Sequence, residues 1–164
     1  IRSYSNNNTV KGNHFQDNNC AIDISRWSSN TQVTENNITG NNIGMALGLN
    51  PAINTHVYHN NFIENNIQVR FNSPQTHTWD NGYPSGGNYW SDYTGTDTYS
   101  GPTQTLMGSD DIGDSPYSVN MENFDNYPLM TPWREQTQVG GQVYENHLHK
   151  IIKIILHFLQ DYIY

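Results

Sequence analysis

Apolar and polar residues alternate over short stretches in the first half of the chain, as in Ile22-Asp23-Ile24, Met45-Ala46-Leu47 and Val69-Arg70-Phe71. Period-2 alternation predicts half-buried strands, and these runs are too short and too rich in asparagine for helices. The alternation recurs in a fixed register. Asn7, Val10, Asn13, Phe15, Asn18, Asn19, Cys20, Ile22 and Ile24 are followed 23 residues later by Asn30, Val33, Asn36, Ile38, Asn41, Asn42, Ile43, Met45 and Leu47. A further 24 residues on come Asn54, Val57, Asn60, Phe62, Asn65, Asn66, Ile67, Val69 and Phe71. A unit of two or three short strands cannot bury its apolar side alone, so it must stack on its neighbours. The predicted architecture is all-β: a parallel β-helix of about three coils over residues 1–73, each coil rising about 4.8 Å.

That register gives the asparagines a purpose. The chain holds 24 of them, 18 in the first 72 residues. Stacked coils place Asn13, Asn36 and Asn60 in one column and Asn18, Asn41 and Asn65 in another, where side-chain amides can hydrogen-bond up and down a ladder at the bends. Composition then narrows the class. With 34% hydrophobic residues the 164-residue chain resembles a disordered one, but 12% aromatic residues and four tryptophans argue for a packed fold. A net charge of −8 speaks against a nucleic-acid partner. No apolar run is long enough to span a membrane. The single cysteine, Cys20, excludes an internal disulfide framework and reads as a small core filler. A start at Ile1, without Met or signal peptide, is expected of a piece of a longer precursor.

After Asn72 the repeat stops, and residues 74–133 become aromatic, glycine-rich and acidic, with no Lys or Arg between Arg70 and Arg134. A stacked sheet cannot end bare, so this segment is expected to cap it. Residues 134–146 read as a polar linker. Residues 147–164 read as an amphipathic helix with a broad isoleucine-rich face, available for packing or self-association.

The run Gly86-Gly87-Asn88-Tyr89-Trp90-Ser91-Asp92-Tyr93, with Asp97, Gly108-Ser109-Asp110-Asp111-Ile112-Gly113-Asp114, Pro116-Tyr117 and Asp125-Asn126-Tyr127-Pro128-Leu129-Met130, resembles the carboxyl-terminal end of NosD-like right-handed parallel β-helix proteins. The resemblance implies a periplasmic or extracellular protein within a wider group of carbohydrate-binding and sugar-hydrolysing β-helices. It also implies a link to copper delivery. That family more often has a glycine where this chain has Asp111.

Four chemistries are weighed on these residues. Asp97, Asp110, Asp111 and Asp114 lie on Gly-rich turns without basic partners, the donor set a structural calcium ion would use. Copper, raised by the resemblance, would need His and Met from among His14, His56, His59, His77, Met45, Met107, Met121 and Met130, but no histidine column forms in the register. Asp17 and Glu64 share a column two coils apart, about 9.6 Å, near the outer limit of roughly 6.5–9.5 Å for an inverting carboxylate pair. Asp23 and Arg70 share another, with Ala46 between them, and a lyase would want such a basic residue. Trp79, Tyr83, Tyr89 and Trp90 offer rings for stacking on sugar faces.

The sequence therefore reads as a non-catalytic surface or periplasmic β-helix module that binds carbohydrate or another surface protein. A polysaccharide lyase or glycoside hydrolase, and a copper-delivery accessory protein, are the alternatives.

Overall fold

The structure, a computed structural model, describes residues 1–48, 52–72 and 74–134. The predicted linker and helix fall in 135–164, outside the described residues. Ile1–Trp133 form one compact unit. Three strands alternate per coil: β1 (Thr9–Lys11), β2 (His14–Gln16) and β3 (Ile22–Ile24), then β4 (Gln32–Thr34), β5 (Asn37–Thr39) and β6 (Ile43–Leu47), then β7 (His56–Tyr58), β8 (Asn61–Ile63) and β9 (Ile67–Phe71). Each pairs in parallel with its counterpart one coil away, giving sheets β1-β4-β7, β2-β5-β8 and β3-β6-β9. The pairings Val10 with Val33 and Val57, Phe15 with Ile38 and Phe62, and Ile22 with Met45 and Val69 reproduce the 23- and 24-residue offsets. The fold is the all-β parallel solenoid that the period predicts.

Inward-facing residues of the three sheets make the core, with Ile24, Val33, Ile38, Met45, Val57 and Phe62 fully enclosed. Burying a side chain of this size contributes about 1.5–3 kcal/mol. The corners between strands are left-handed: Asn7, Asn30 and Asn54 at φ 57°, 54° and 52°, Gly12, Glu35 and His59 at 66°, 59° and 57°, and Asp17, Gly40 and Glu64 at 55°, 64° and 51°. The common property of each column is backbone conformation, which glycine and asparagine adopt most readily.

Both asparagine ladders form. Asn13, Asn36 and Asn60 each donate a backbone N–H and a side-chain amide to the next rung, at 2.9–3.1 Å. Asn18 and Asn41 do the same toward Asn65.

The repeat continues past Asn72, contrary to the sequence reading. Thr78 bridges to His56, and β10 (Tyr89–Trp90) pairs in parallel with β8, placing Trp90 over Phe62. Asn88 is the fourth rung of the first ladder, 28 residues after Asn60. The extra residues form a turn around Asn81–Gly86, so a search for a fixed period misses this level. Asp125 takes the place of a fifth rung, accepting from Asn88 N–H at 2.7 Å and from Asn88 Nδ2 at 3.3 Å. Two antiparallel hairpins, β11 (Tyr99–Ser100) with β12 (Leu106–Met107) and β13 (Tyr117–Ser118) with β14 (Phe124–Asp125), complete the segment. Phe62, Trp90 and Tyr117 stack face to face, with centroids 4.4 and 4.3 Å apart.

Candidate functional site

A groove opens on the solenoid where the chain enters the β1-β4-β7 sheet. It is shallow, about 310 Å³, and is lined by Asn7, Asn8, Thr9, Asn30, Thr31, Gln32, Asn54 and His56. The coil register builds it: Thr9, Gln32 and His56 are paired outward positions of three adjacent strands, and Asn7, Asn30 and Asn54 are the left-handed corners preceding them. The corner amides are tied to one another, Asn54 Nδ2 to Asn30 Oδ1 and Asn30 Nδ2 to Asn7 Oδ1, both at 3.2 Å. His56 donates Nε2–H to the Asp80 carbonyl at 2.8 Å, which fixes the orientation of the ring. Thr31 is 1% exposed, and its hydroxyl has no hydrogen-bond partner within the protein. None of the eight lining residues is Asp, Glu, Lys or Arg. Such a surface offers repeated donors and acceptors to a neutral polyhydroxylated ligand and nothing to neutralise an anionic one.

Three residues before each of the first two corners, Tyr4 and Trp27 stack on the outside of the fold, with centroids 5.2 Å apart and planes 12° from parallel. Tyr4 is 67% exposed and Trp27 44%. Both sit in the left-handed region, φ 61° and 58°, as do Ser3 and Arg26 before them. Each such non-glycine residue costs about 1–2 kcal/mol, while an aromatic pair returns roughly 0.5–1.5 kcal/mol. The sequence reading missed the pair, although the 23-residue register aligns the two residues.

The residues singled out from the sequence fall elsewhere. Trp79 and Trp90 are each 1% exposed and lie in the cap core, where their indole N–H groups donate to Asn123 and Asp125. Neither offers a face to a sugar. Tyr83 and Tyr89 are half-buried, and Tyr83 lies against Tyr127 at 6.3 Å between centroids. The four aromatics form no shared platform. Asp17 and Glu64 do occupy one column, but with Gly40 between them it is a column of left-handed corners. Asp23 and Arg70 flank Ala46 in the paired register, and Asp23 is held by Arg2 at 2.8 Å. Burial pushes the Asp23 carboxyl upward, but the Arg2 hydrogen bond and charge outweigh it and leave the group below the usual carboxylate range.

The acidic residues of the cap face backbone donors. Asp97 accepts from Ser109 Oγ and from the N–H groups of Asp110 and Asp111. Asp110 accepts from Gly101 N–H and Ile112 N–H, and Asp114 from Thr98 N–H, Tyr99 N–H and Thr96 Oγ1. Turn capping accounts for their clustering, and among the described residues no three His, Cys, Asp or Glu side chains converge as a metal site would require. The calcium reading has no geometric support. Of the copper candidates, His56 and His59 both lie against the Tyr58 ring. Met45 is enclosed in the core, while Met107 and Met121 are exposed on separate hairpins. His59 is stacked on Trp133 at 3.5 Å and donates to the Ser85 carbonyl, and burial lowers its basicity. His77 is pushed down to about 4 by burial. His14 lies exposed beside Gln16. Among the described residues no three His, Cys, Asp or Glu side chains come together around these candidates.

Residues 1–95 match the family model described as periplasmic copper-binding protein (NosD). No curated protein and no solved structure matches the chain. The matched span covers the three coils and the level that carries Asn88 and Trp90, more than half of the chain. Among the described residues no helix is long and apolar enough to cross a membrane.

Proposed function

The chain belongs to the NosD family, whose description is periplasmic, and on that premise we propose that it is a non-catalytic β-helix module that binds neutral carbohydrate. The observation that carries this reading is the uncharged, amide-lined groove of Asn7, Asn30, Asn54, Thr9, Gln32 and His56. Vicinal hydroxyls of a sugar act as paired donors and acceptors, and carboxamides supply the complementary pair. An open, water-exposed groove with few apolar contacts gives modest affinity, about 10 µM or weaker, which is roughly −7 kcal/mol. The left-handed corner role of Asp17 and Glu64 argues against a hydrolytic pair there.

Affinity electrophoresis of the full chain in gels containing β-glucan, xylan, galactomannan or polygalacturonate tests this. Retardation in a neutral gel and free migration in polygalacturonate is expected, with no reducing ends released in any of them. Exclusive retardation in polygalacturonate, or sugar release, overturns it. Copper binding is the reading that the family description favours. Retention of Cu(I) against a competing chelator at micromolar protein would place it ahead of carbohydrate.

A further inference from the structure

The amides along the groove form a straight, evenly stepped column. Asn7, Asn30 and Asn54 occupy equivalent corners of successive coils and are all exposed, and the two bonds that join them are both 3.2 Å long. Because adjacent strands pair in register, the column runs along the solenoid axis, one rung per coil and about 4.8 Å per step. A carboxamide has two N–H hydrogens and two oxygen lone pairs. Asn30 spends one hydrogen on Asn7 and one lone pair on Asn54, so one donor and one acceptor remain to face solvent. A second column lies beside the first: Thr9, Gln32 and His56 pair in the outward positions of β1, β4 and β7. It is bounded at one end, where His56 Nε2–H is bonded to the Asp80 carbonyl and Thr78 takes the next position in the sheet.

We propose that the groove takes a linear β-1,4-linked neutral glycan laid along the solenoid axis, one sugar residue per coil. This rests on the carbohydrate reading and specifies its linkage and orientation. In a β-1,4-linked pyranose chain both linkage bonds are equatorial, so the chain is extended and advances by close to one coil rise per residue. Each residue then sets hydroxyls over one corner amide and over Thr9, Gln32 or His56 of the same coil. A β-1,3-linked chain curves and so departs from a straight column. A uronate gains nothing from a lining without Lys or Arg. Laid across the coils instead, a glycan would meet one corner amide and one outward side chain of a single coil, and the repeated rungs would go unused. The three rungs therefore define three subsites.

The test is calorimetric titration of the full chain with the neutral hexasaccharides cellohexaose, xylohexaose and laminarihexaose separately, and with the shorter cello-oligosaccharides, for the wild type and for Asn30→Gly, Gln32→Ala and Asn42→Ser. Asn30→Gly removes the central rung and keeps its left-handed corner unstrained. Asn42 belongs to another exposed amide column, with Asn19 and Asn66, outside the groove lining. Affinity in the cello-series should rise about tenfold from the disaccharide to the trisaccharide or tetrasaccharide and level off there, with laminarihexaose about tenfold weaker than the better β-1,4-linked hexasaccharide. Asn30→Gly should weaken that hexasaccharide about tenfold and Gln32→Ala about threefold, while Asn42→Ser leaves it unchanged. A disaccharide that binds as tightly as the hexasaccharide, or laminarihexaose that binds as tightly as its β-1,4-linked counterparts, refutes the axial track and leaves the groove reading standing. If Asn30→Gly and Gln32→Ala both bind as the wild type does, or Asn42→Ser loses as much as Asn30→Gly, binding lies outside the groove and both readings fall. They also fall if no hexasaccharide binds the wild type.

Discussion

Asn88 donates its backbone N–H and its side-chain amide to one oxygen of Asp125, closing the ladder that begins at Asn13. An asparagine ladder is directional, because each amide oxygen accepts from the rung before while each amide nitrogen donates to the rung after. Its last rung needs a group that only accepts. A carboxylate meets that need, and Asp125 also accepts from Trp90 Nε1–H and Tyr127 N–H. Gly87 is fixed by the same closure, since a Cβ there would collide with the Asp125 carboxylate.

Burial pushes the Asp125 carboxyl up to about 7 despite these donors, with the Asp80 charge adding to the shift. A folded-state value above the ordinary one means that the protonated form is favoured on folding. The contribution is complete below about pH 4 and is lost as pH rises through about 7. Asp125→Asn should therefore gain in melting temperature relative to the wild type between about pH 5 and about pH 8. A constant difference across that range contradicts this. Asp125→Ala should cost about 3 kcal/mol near pH 5 and less as pH rises through about 7, because it strips several enclosed donors of a partner whose own contribution falls over that range.

Buried and exposed ladders should differ. Asn60 is enclosed and holds the Val33 and Tyr58 carbonyls as well as its rungs. Asn60→Ala is expected to cost about 3 kcal/mol in urea denaturation. Asn54→Gly, which removes the rung on the solvent-facing column and keeps the left-handed corner unstrained, should cost about 0.5 kcal/mol or less. Equal losses would mean that ladder bonds count alike irrespective of burial.

Asp17 and Glu64 hold left-handed corners that glycine fills at position 40 of the same column. Asp17→Gly and Glu64→Gly should leave stability unchanged or raise it by about 1 kcal/mol. A fall of similar size, or any loss of glycan binding, would give these carboxylates a role beyond the bend.

Much of the solenoid was legible because stacking converts sequence period directly into spatial register. Val33, Ile38 and Met45 fell into the core and Asn36 and Asn41 into the ladders, as the alternation requires. The level built on Asn88 and Trp90 was hidden because its offset from the third coil is 28 residues. The site was less legible. Side chains such as Trp79 and Trp90 carry the same chemistry whether they face a ligand or a core, and only the placement of the cap decides. The groove residues Thr9, Gln32 and His56 differ from coil to coil, so no repeated motif marked them.

The cap's carboxylates give a sharp expectation for cations. Although desolvation works against it, Asp114 is held below the usual carboxylate range by the N–H groups of Tyr99 and Thr98 and by the Thr96 hydroxyl. Millimolar calcium should shift the melting temperature by less than about 1 °C. A larger rise that Asp110→Asn and Asp114→Asn abolish would reinstate a calcium site.

The claim that the uncharged groove binds neutral glycan is tested most directly by a heteronuclear NMR titration of the labelled chain with the three neutral hexasaccharides. The account predicts saturable shifts centred on Thr9, Asn30, Thr31, Gln32 and the His56 ring, with the side-chain amides of Asn30 and Gln32 moving most. Shifts confined to the hairpins around Asp114 and Met121, or none with any hexasaccharide, would contradict it.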